Sequence, residues 1–282
     1  MNSNQSGTLY IVATPIGNLG DMVPRAVETL QNVSVIACED TRHSKKLLDH
    51  FSIGTPCIAY HDHTDKKSSY NILKRLRAGD NVALISDAGT PLISDPGYRL
   101  VSEARHQGYR VMPIPGACAV TAALCISGLP TDRFKFIGFL PAKSSQRKAT
   151  LGTYKADVET IVCYEAPHRI VETLSDMVDV LGTDRLAFMA REISKTFETH
   201  LHGSLQELLD QVSADSNQQR GEIVLVIAGD ADAQDSVSVD AEKVLRLLLQ
   251  ELPITKAASI AAKITGGDKK QLYQLALALQ GK

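Results

Sequence analysis

Residues 81–97 read NVALISDAGTPLISDPG, a short apolar run, Val82 to Ile85, that opens without a break into a turn holding two aspartates, two glycines and two prolines. A run of this length closed by Gly and Pro reads as a buried strand. A plain strand-to-helix connection has little use for so much punctuation. The Gly-rich edge of a parallel sheet, by contrast, leaves backbone N–H groups free for a ligand. A charge just past a central strand has to find a partner, so Asp87 is read as a ligand contact, and Gly89 as the point of close backbone approach. Asp95 is read as the N-cap of a helix beginning at Pro96-Gly97.

A second turn, TPIGNLGD at Thr14 to Asp21, follows the apolar run LYIVA. Gly17 and Gly20 permit positive φ and Pro15 stiffens the entry. By its residues alone this turn is equally a structural connection or a ligand loop. Asp21 is expected to cap the helix that follows, with Pro24 in its opening turn. Neither GxGxxG nor GxxxxGK[ST] occurs, which removes dinucleotide and Walker-type phosphate sites.

Outward from these turns, β-type and helical runs alternate up to about Pro115, which predicts a mostly parallel sheet covered by helices. A helix over 117–127 follows, ended by Gly128 and Pro130. From Phe134 the strand-like runs FKFIGFL, TIVCYE, RLAFMAR, TFETHLHG and EIVLVIAG crowd together, with helices at 168–181 and 205–212, the pattern of a mixed α+β domain. The small, acidic stretch 229–240 suits a linker, and three short helical patterns close the chain. These form a helix-turn-helix module or a packing appendage. The expected organisation is an α/β donor-binding domain over 1–129, a second domain over 130–229, a linker over 230–239 and a helical module over 240–282.

Hydrophobic residues at 44% and charged residues at 22% fit an ordinary globular protein, and no stretch approaches membrane-spanning length. The polar start MNSNQSG lacks a secretory pattern, so a cytoplasmic protein is expected. Five scattered cysteines with no CxxC pair read as reduced thiols. The net charge of −2 conceals an asymmetry: residues 240–282 carry seven Lys/Arg against four Asp/Glu, a net of +3, which leaves −5 for the rest.

Charged residues just past β-type runs are the candidates for chemistry. They are Glu39, Asp40 and Arg42 in CEDTR, His61 in AYHDH, Glu165, His168 and Arg169 in YEAPHR, and Arg191, Glu192, Lys195 and Glu198 in REISKTFE. Each is equally open to a structural ion pair. The HDH at 61–63 and HLH at 200–202 put two imidazoles on one strand face, but no further ligand lies at metal spacing, and no metal is expected. Lys143, Arg147 and Lys148 form a basic stretch that suits either phosphates or plain surface.

The motifs TPIGNLGD, ACEDTR, SDAGTPLISDPG, PGACAVTAALCISGLP, FIGFLPAKSSQR, YEAPHRI, REISKTFE and GEIVLVIAG, in this order from Leu9 to Gly229, resemble the ribosomal RNA branch of the tetrapyrrole methylase superfamily. The resemblance implies a two-domain fold with S-adenosylmethionine folded into the interdomain cleft, and a homodimer. It also implies methyl transfer to the 2′-oxygen of a cytidine in small-subunit (16S) ribosomal RNA. Carried over motif by motif, donor contacts fall on Pro15, Asp87, Ala88, Gly89, Leu92, Ile93, Ser94, Cys118 and Ala119 in the first domain, and on Tyr164, Ala190 and Ile223 in the second. PGACA stands where a common version reads PGPSA, so a thiol replaces a hydroxyl at Cys118. Two other functions remain open: a methyltransferase acting on a small tetrapyrrole, and a catalytically silent RNA-binding assembly factor.

Overall fold

The computed structural model describes residues 6–61, 66–230 and 239–279. Residues 231–238 of the expected linker and His63 of the HDH stretch lie outside the described residues. Five strands form the first sheet: β1 (Thr8–Val12), β2 (Val35–Cys38), β3 (Cys57–Ala59), β4 (Val82–Ile85) and β5 (Arg110–Ile114). Their order is β3-β2-β4-β1-β5, and every pair is parallel. Side chains alternate across β4. Ala83 and Ile85 pack with Ala26 and Leu30 of helix Pro24–Asn32 on one face. Val82 and Leu84 pack on the other with Ile72 and Leu76 of helix Lys66–Arg77 and with Leu100 of helix Tyr98–His106. Burial on both faces is why β4 reads as an unbroken apolar run rather than an alternating one.

The second sheet contains β6 (Phe134–Phe139), β7 (Thr160–Glu165), β8 (Leu186–Arg191), β9 (Thr199–Ser204) and β10 (Ile223–Ile227), in the order β6-β7-β10-β8-β9. Only β6 and β7 run parallel, so the sheet is mixed as expected. Helices Ile170–Leu181 and Leu205–Ala214 cover one face. Helix Ala119–Ile126, which leaves β5, covers the other through Val120, Ala123 and Leu124 against Val162, Phe188 and Val224. That helix therefore joins the two sheets, and the turns at its start lie between them.

Two caps differ from the expectation. Asp21 ends a single 3-10 turn, Leu19–Asp21, capped by Asn18, and the next helix has Val23 at its N-cap with no side-chain bond; Pro24 does open that helix. Helix Tyr98–His106 is preceded by Gly97, again without a side-chain cap, so Asp95 is free for another role. Asp40 does cap: its carboxylate accepts from Arg42 N at 2.8 Å and His43 N at 3.3 Å.

The basic stretch also reads differently in three dimensions. Arg147 is 0% exposed and donates to Asp176 Oδ2 at 2.7 Å and to the Ala142 carbonyl at 3.2 Å. Lys148 pairs with Asp179 at 2.7 Å and Asp176 at 3.3 Å. Arg147 falls on the core face of helix Ser144–Gly152, with Leu151 one turn on, and is not a phosphate contact.

Helices Val239–Glu251, Ile254–Thr265 and Lys269–Leu279 enclose a core of their own, with Ala257, Ala258, Ala261 and Ala276 packed around Leu245 and Leu272. Alanines let the three axes approach closely. Among the described residues no helix is long and apolar enough to cross a membrane.

Candidate active site

β1 and β4 are neighbours, so the two Gly/Pro turns leave the sheet side by side. They are then stitched together: Thr14 N donates to the Gly89 carbonyl at 2.9 Å, and Gly89 N donates to the Thr14 carbonyl at 3.1 Å. Thr90 Oγ1 donates to the Ala117 carbonyl at 3.0 Å, drawing in the third turn, ahead of helix Ala119–Ile126. Gly89 takes φ +82°, and the same loop holds Leu92 at +74° and Ser94 at +66°. Two non-glycine residues in the left-handed region cost about 1–3 kcal/mol each and persist only where the surroundings over-determine them. A cavity of about 450 Å³ opens in front of this loop.

The first domain supplies Asp87, Ala88, Gly89, Ile93, Ser94 and Asp95 to its wall, followed by Cys118 and Ala119. Tyr164, Ala166, Ile223 and Val224 face them from the ends of β7 and β10. Phe139, 56% exposed, stands at the cavity with its ring 5.6 Å from that of Tyr164. Burial pushes the Tyr164 phenol well above its ordinary range, so it stays a neutral hydrogen-bonding group. Asp87 and Asp95 form no ion pair among the described residues. Burial raises the Asp95 carboxyl to about 6, opposed by a hydrogen bond from Ser86 and assisted by the negative charges of Glu39 and Asp87.

A shallower depression adjoins this cavity, lined by Glu39, Asp40, Thr41, Arg42, Ala59 and His61, with Asp87 common to both. It sits where the C-terminal ends of β2, β3 and β4 meet. The Asp40 N–H reaches Asp87 Oδ1 at 3.4 Å, which ties the two floors together. Glu39, Asp40, Arg42 and His61, four of the charged candidates, are thus brought to one place beside Asp87.

The remaining candidates have structural partners. Glu165 is buried and its carboxylate accepts from Arg169 Nε, from Thr173 Oγ1 at 2.7 Å and from Ala166 N at 2.6 Å. Its backbone, not a free charge, meets the cavity, while His168 is exposed on the adjoining 3-10 turn. Arg191 is buried and donates to Thr199 Oγ1 and the Phe197 carbonyl, both at 2.9 Å. Lys195 pairs with Glu192 at 2.7 Å and Glu222 at 3.0 Å. Burial would raise the Glu192 carboxyl, but the hydrogen bonds from Lys195 and the Glu222 backbone outweigh it and hold it below its ordinary value. Glu198 accepts from Ser194 N and meets His200 Nε2, each at 2.7 Å. Among the described residues no group of three or more His, Cys, Asp and Glu gathers at metal-ligand distance.

The REISKTFE loop acts instead as a clasp. The Ser194 hydroxyl donates to the Asp21 carboxylate, and Gly17 lies so close to Lys195 that an added Cβ would fall 2.3 Å from its Cγ. Gly17 in the first turn is therefore a site of interdomain packing.

Of the twelve residues carried over as donor contacts, nine line the cavity and Pro15, Leu92 and Ala190 do not. Pro15 is buried behind Ile16, Leu92 packs into the core near Leu84, and Ala190 lies within the sheet core beside Val224. Sequence reasoning missed Asp95 as a wall residue, although a second aspartate in one turn was a visible sign. It also missed Phe139, whose sign was Gly138 at φ +66° inside a strand-like run.

An α/β sheet with its cavity at strand ends, closed by a mixed second sheet, defines a class, and the comparisons agree. Residues 8–209 match the tetrapyrrole (corrin/porphyrin) methylases, and this chain belongs to that family. It is 53% identical over 279 residues to the ribosomal RNA small subunit methyltransferase I of Pseudomonas aeruginosa, covering 98% of this chain and 99% of that one. To the Escherichia coli O157:H7 protein of the same name it is 49% identical, covering 99% and 97%. Residues 235–280 match the RsmI C-terminal HTH domain. Among solved structures, the methyltransferase CobJ aligns with a TM-score of 0.59 at 16% identity, over 80% of this chain and 95% of that one. The Thermus thermophilus uroporphyrin-III C-methyltransferase, solved with S-adenosyl homocysteine, aligns at 0.51 and 18%, over 79% and 97%. These likenesses are of fold.

Proposed function

We propose that this chain is an S-adenosylmethionine-dependent methyltransferase that modifies the ribose 2′-oxygen of a cytidine in small-subunit ribosomal RNA, acting as a cytoplasmic homodimer. The observation that carries the reading is the joining of both Gly/Pro turns on one cavity, in a chain about half identical to ribosomal RNA small subunit methyltransferase I along nearly its whole length.

The wall fits such a donor. Its volume of about 450 Å³ suits a nucleoside-sized ligand. Carboxylates without a cationic partner, Asp87 and Asp95, suit a cation, and Tyr164, Ile223 and Val224 offer apolar surface to an aromatic base. Backbone groups around Gly89 can approach closely because no Cβ stands there; one would meet Ile16 Cγ2 at 3.1 Å. When bound, S-adenosylmethionine supplies an electrophilic methyl group on a sulfonium. The chain's own share is alignment: stitched turns and a strained loop hold the walls at fixed positions, which is where most acceleration of an in-line displacement arises. Asp87, facing both depressions, stands between the donor wall and the place from which a hydroxyl would approach.

Mapping ribose methylation of small-subunit RNA in cells lacking the protein tests this directly: one cytidine should lose its methyl group and regain it on complementation. No change would refute it. A porphyrinogen accepting labelled methyl in place of small subunits would assign a tetrapyrrole methylase, and absence of donor binding would assign a silent assembly factor. Light scattering should give twice the 30.5 kDa chain mass.

A further inference from the structure

Three depressions run together on the first domain. The donor-side cavity shares Asp87 with the depression holding Glu39 and His61, and that depression shares Thr41 and Arg42 with a third, of about 370 Å³, which extends past Lys45 to Cys57. Charge changes sign along this trough. Its inner end carries Asp87 and Glu39; its outer end carries Arg42, 93% exposed, and Lys45, exposed one turn behind it on helix Thr41–His50. Arg42 has only a loose partner in Asp40, at 3.8 Å, and that carboxylate is already engaged by the helix N–H groups, which hold it below its ordinary range. Among the described residues Lys45 has no ion pair.

We propose that this trough is the acceptor site: the target nucleotide of a single-stranded RNA segment enters the middle depression, and its flanking phosphates lie over Arg42 and Lys45. The inference rests on the RNA methyltransferase reading above and adds where the acceptor binds. A ribose is neutral and tolerates the carboxylate-lined floor, and its hydroxyl reaches the shared Asp87 edge. Phosphates are repelled from that floor and meet the cations at the outer end. His61, Glu39 and Asp87 are then the groups that surround the acceptor hydroxyl, while Arg42 and Lys45 act by positioning the strand.

The test uses the full-length protein and small ribosomal subunits, comparing the Arg42→Ala/Lys45→Ala pair with Arg42→Lys. For the alanine pair, KM for the subunit should rise at least tenfold with kcat within about twofold, and the slope of log affinity against log salt should fall by about 2, one for each lost phosphate contact. Affinity for S-adenosylmethionine should be unchanged, and Arg42→Lys should keep the salt slope. An unaltered KM and salt slope in the alanine pair would overturn the proposal, as would a loss of donor affinity. If the unsubstituted protein methylates no subunit at all, it is the function that fails and not the placement of the acceptor.

Discussion

Asp95→Asn should remove a pH dependence of donor binding centred near 6. In the folded protein the Asp95 carboxyl is raised to about 6 by burial and by the neighbouring charges of Glu39 and Asp87. A group whose folded value is raised contributes stability that is complete below its ordinary carboxylate range and lost as pH rises through about 6. Above that point Asp95 is an anion held at a cost, and a bound cation offsets it. Affinity for a sulfonium donor should therefore climb as pH rises from 5 to 7 and then level off. Returning the carboxyl to its ordinary value on binding would be worth at most about a hundredfold in affinity. Asp95 is only half-buried, so solvent screening reduces this to about tenfold. Titration calorimetry with S-adenosylmethionine at pH 5, 6, 7 and 8 reads it out. The Asn variant should bind with the same weakened affinity at every pH. A slope that survives the substitution, or a native protein with flat affinity between pH 5 and 7, would refute the electrostatic reasoning.

Gly89→Ala should weaken donor binding about tenfold or more, because the left-handed φ costs a side chain about 1–3 kcal/mol and the new methyl would press on Ile16; an unchanged dissociation constant would count against the cradle. Arg147→Met should cost about 3 kcal/mol, the low end for breaking a buried pair since Ser144 and Lys148 remain on Asp176, and lower Tm by ~10 °C while the KM for RNA stays put; the reverse pattern would make Arg147 a phosphate contact after all. Burial favours a neutral Asp176, but its three hydrogen-bond donors hold the carboxyl below the ordinary value, so the native pair's contribution is present above about pH 4 and lost as pH falls through that depressed value. Ending the chain at Gly229 should remove the basic helical module, lowering affinity for small subunits about tenfold in filter binding and leaving donor affinity intact.

Much of the frame was legible because its signals are local. Apolar runs bounded by Gly and Pro mark β1, β4, β7 and β10, and strand-helix alternation separates the parallel sheet from the mixed one. The turn at 86–97 announced a ligand site through its composition alone, since left-handed backbone and close approach need particular residues at particular places. The charged candidates were found as a set but could not be sorted. Glu165, Arg191 and Lys195 look as reactive in sequence as Glu39 and His61 do, and what separates them is whether a distant partner such as Thr173, Thr199 or Glu222 saturates the charge.

What the amino-acid order determined by itself is therefore the identity of the elements and the two turns, because hydrophobic period and backbone permissiveness act over a few neighbouring residues. The burial of Arg147, the role of Asp95 beside the cavity and not at a helix start, and the clasp of Ser194 on Asp21 were decided only by the tertiary structure. Desolvation and pairing depend on which remote groups share a few ångströms of space, and no local pattern carries that information.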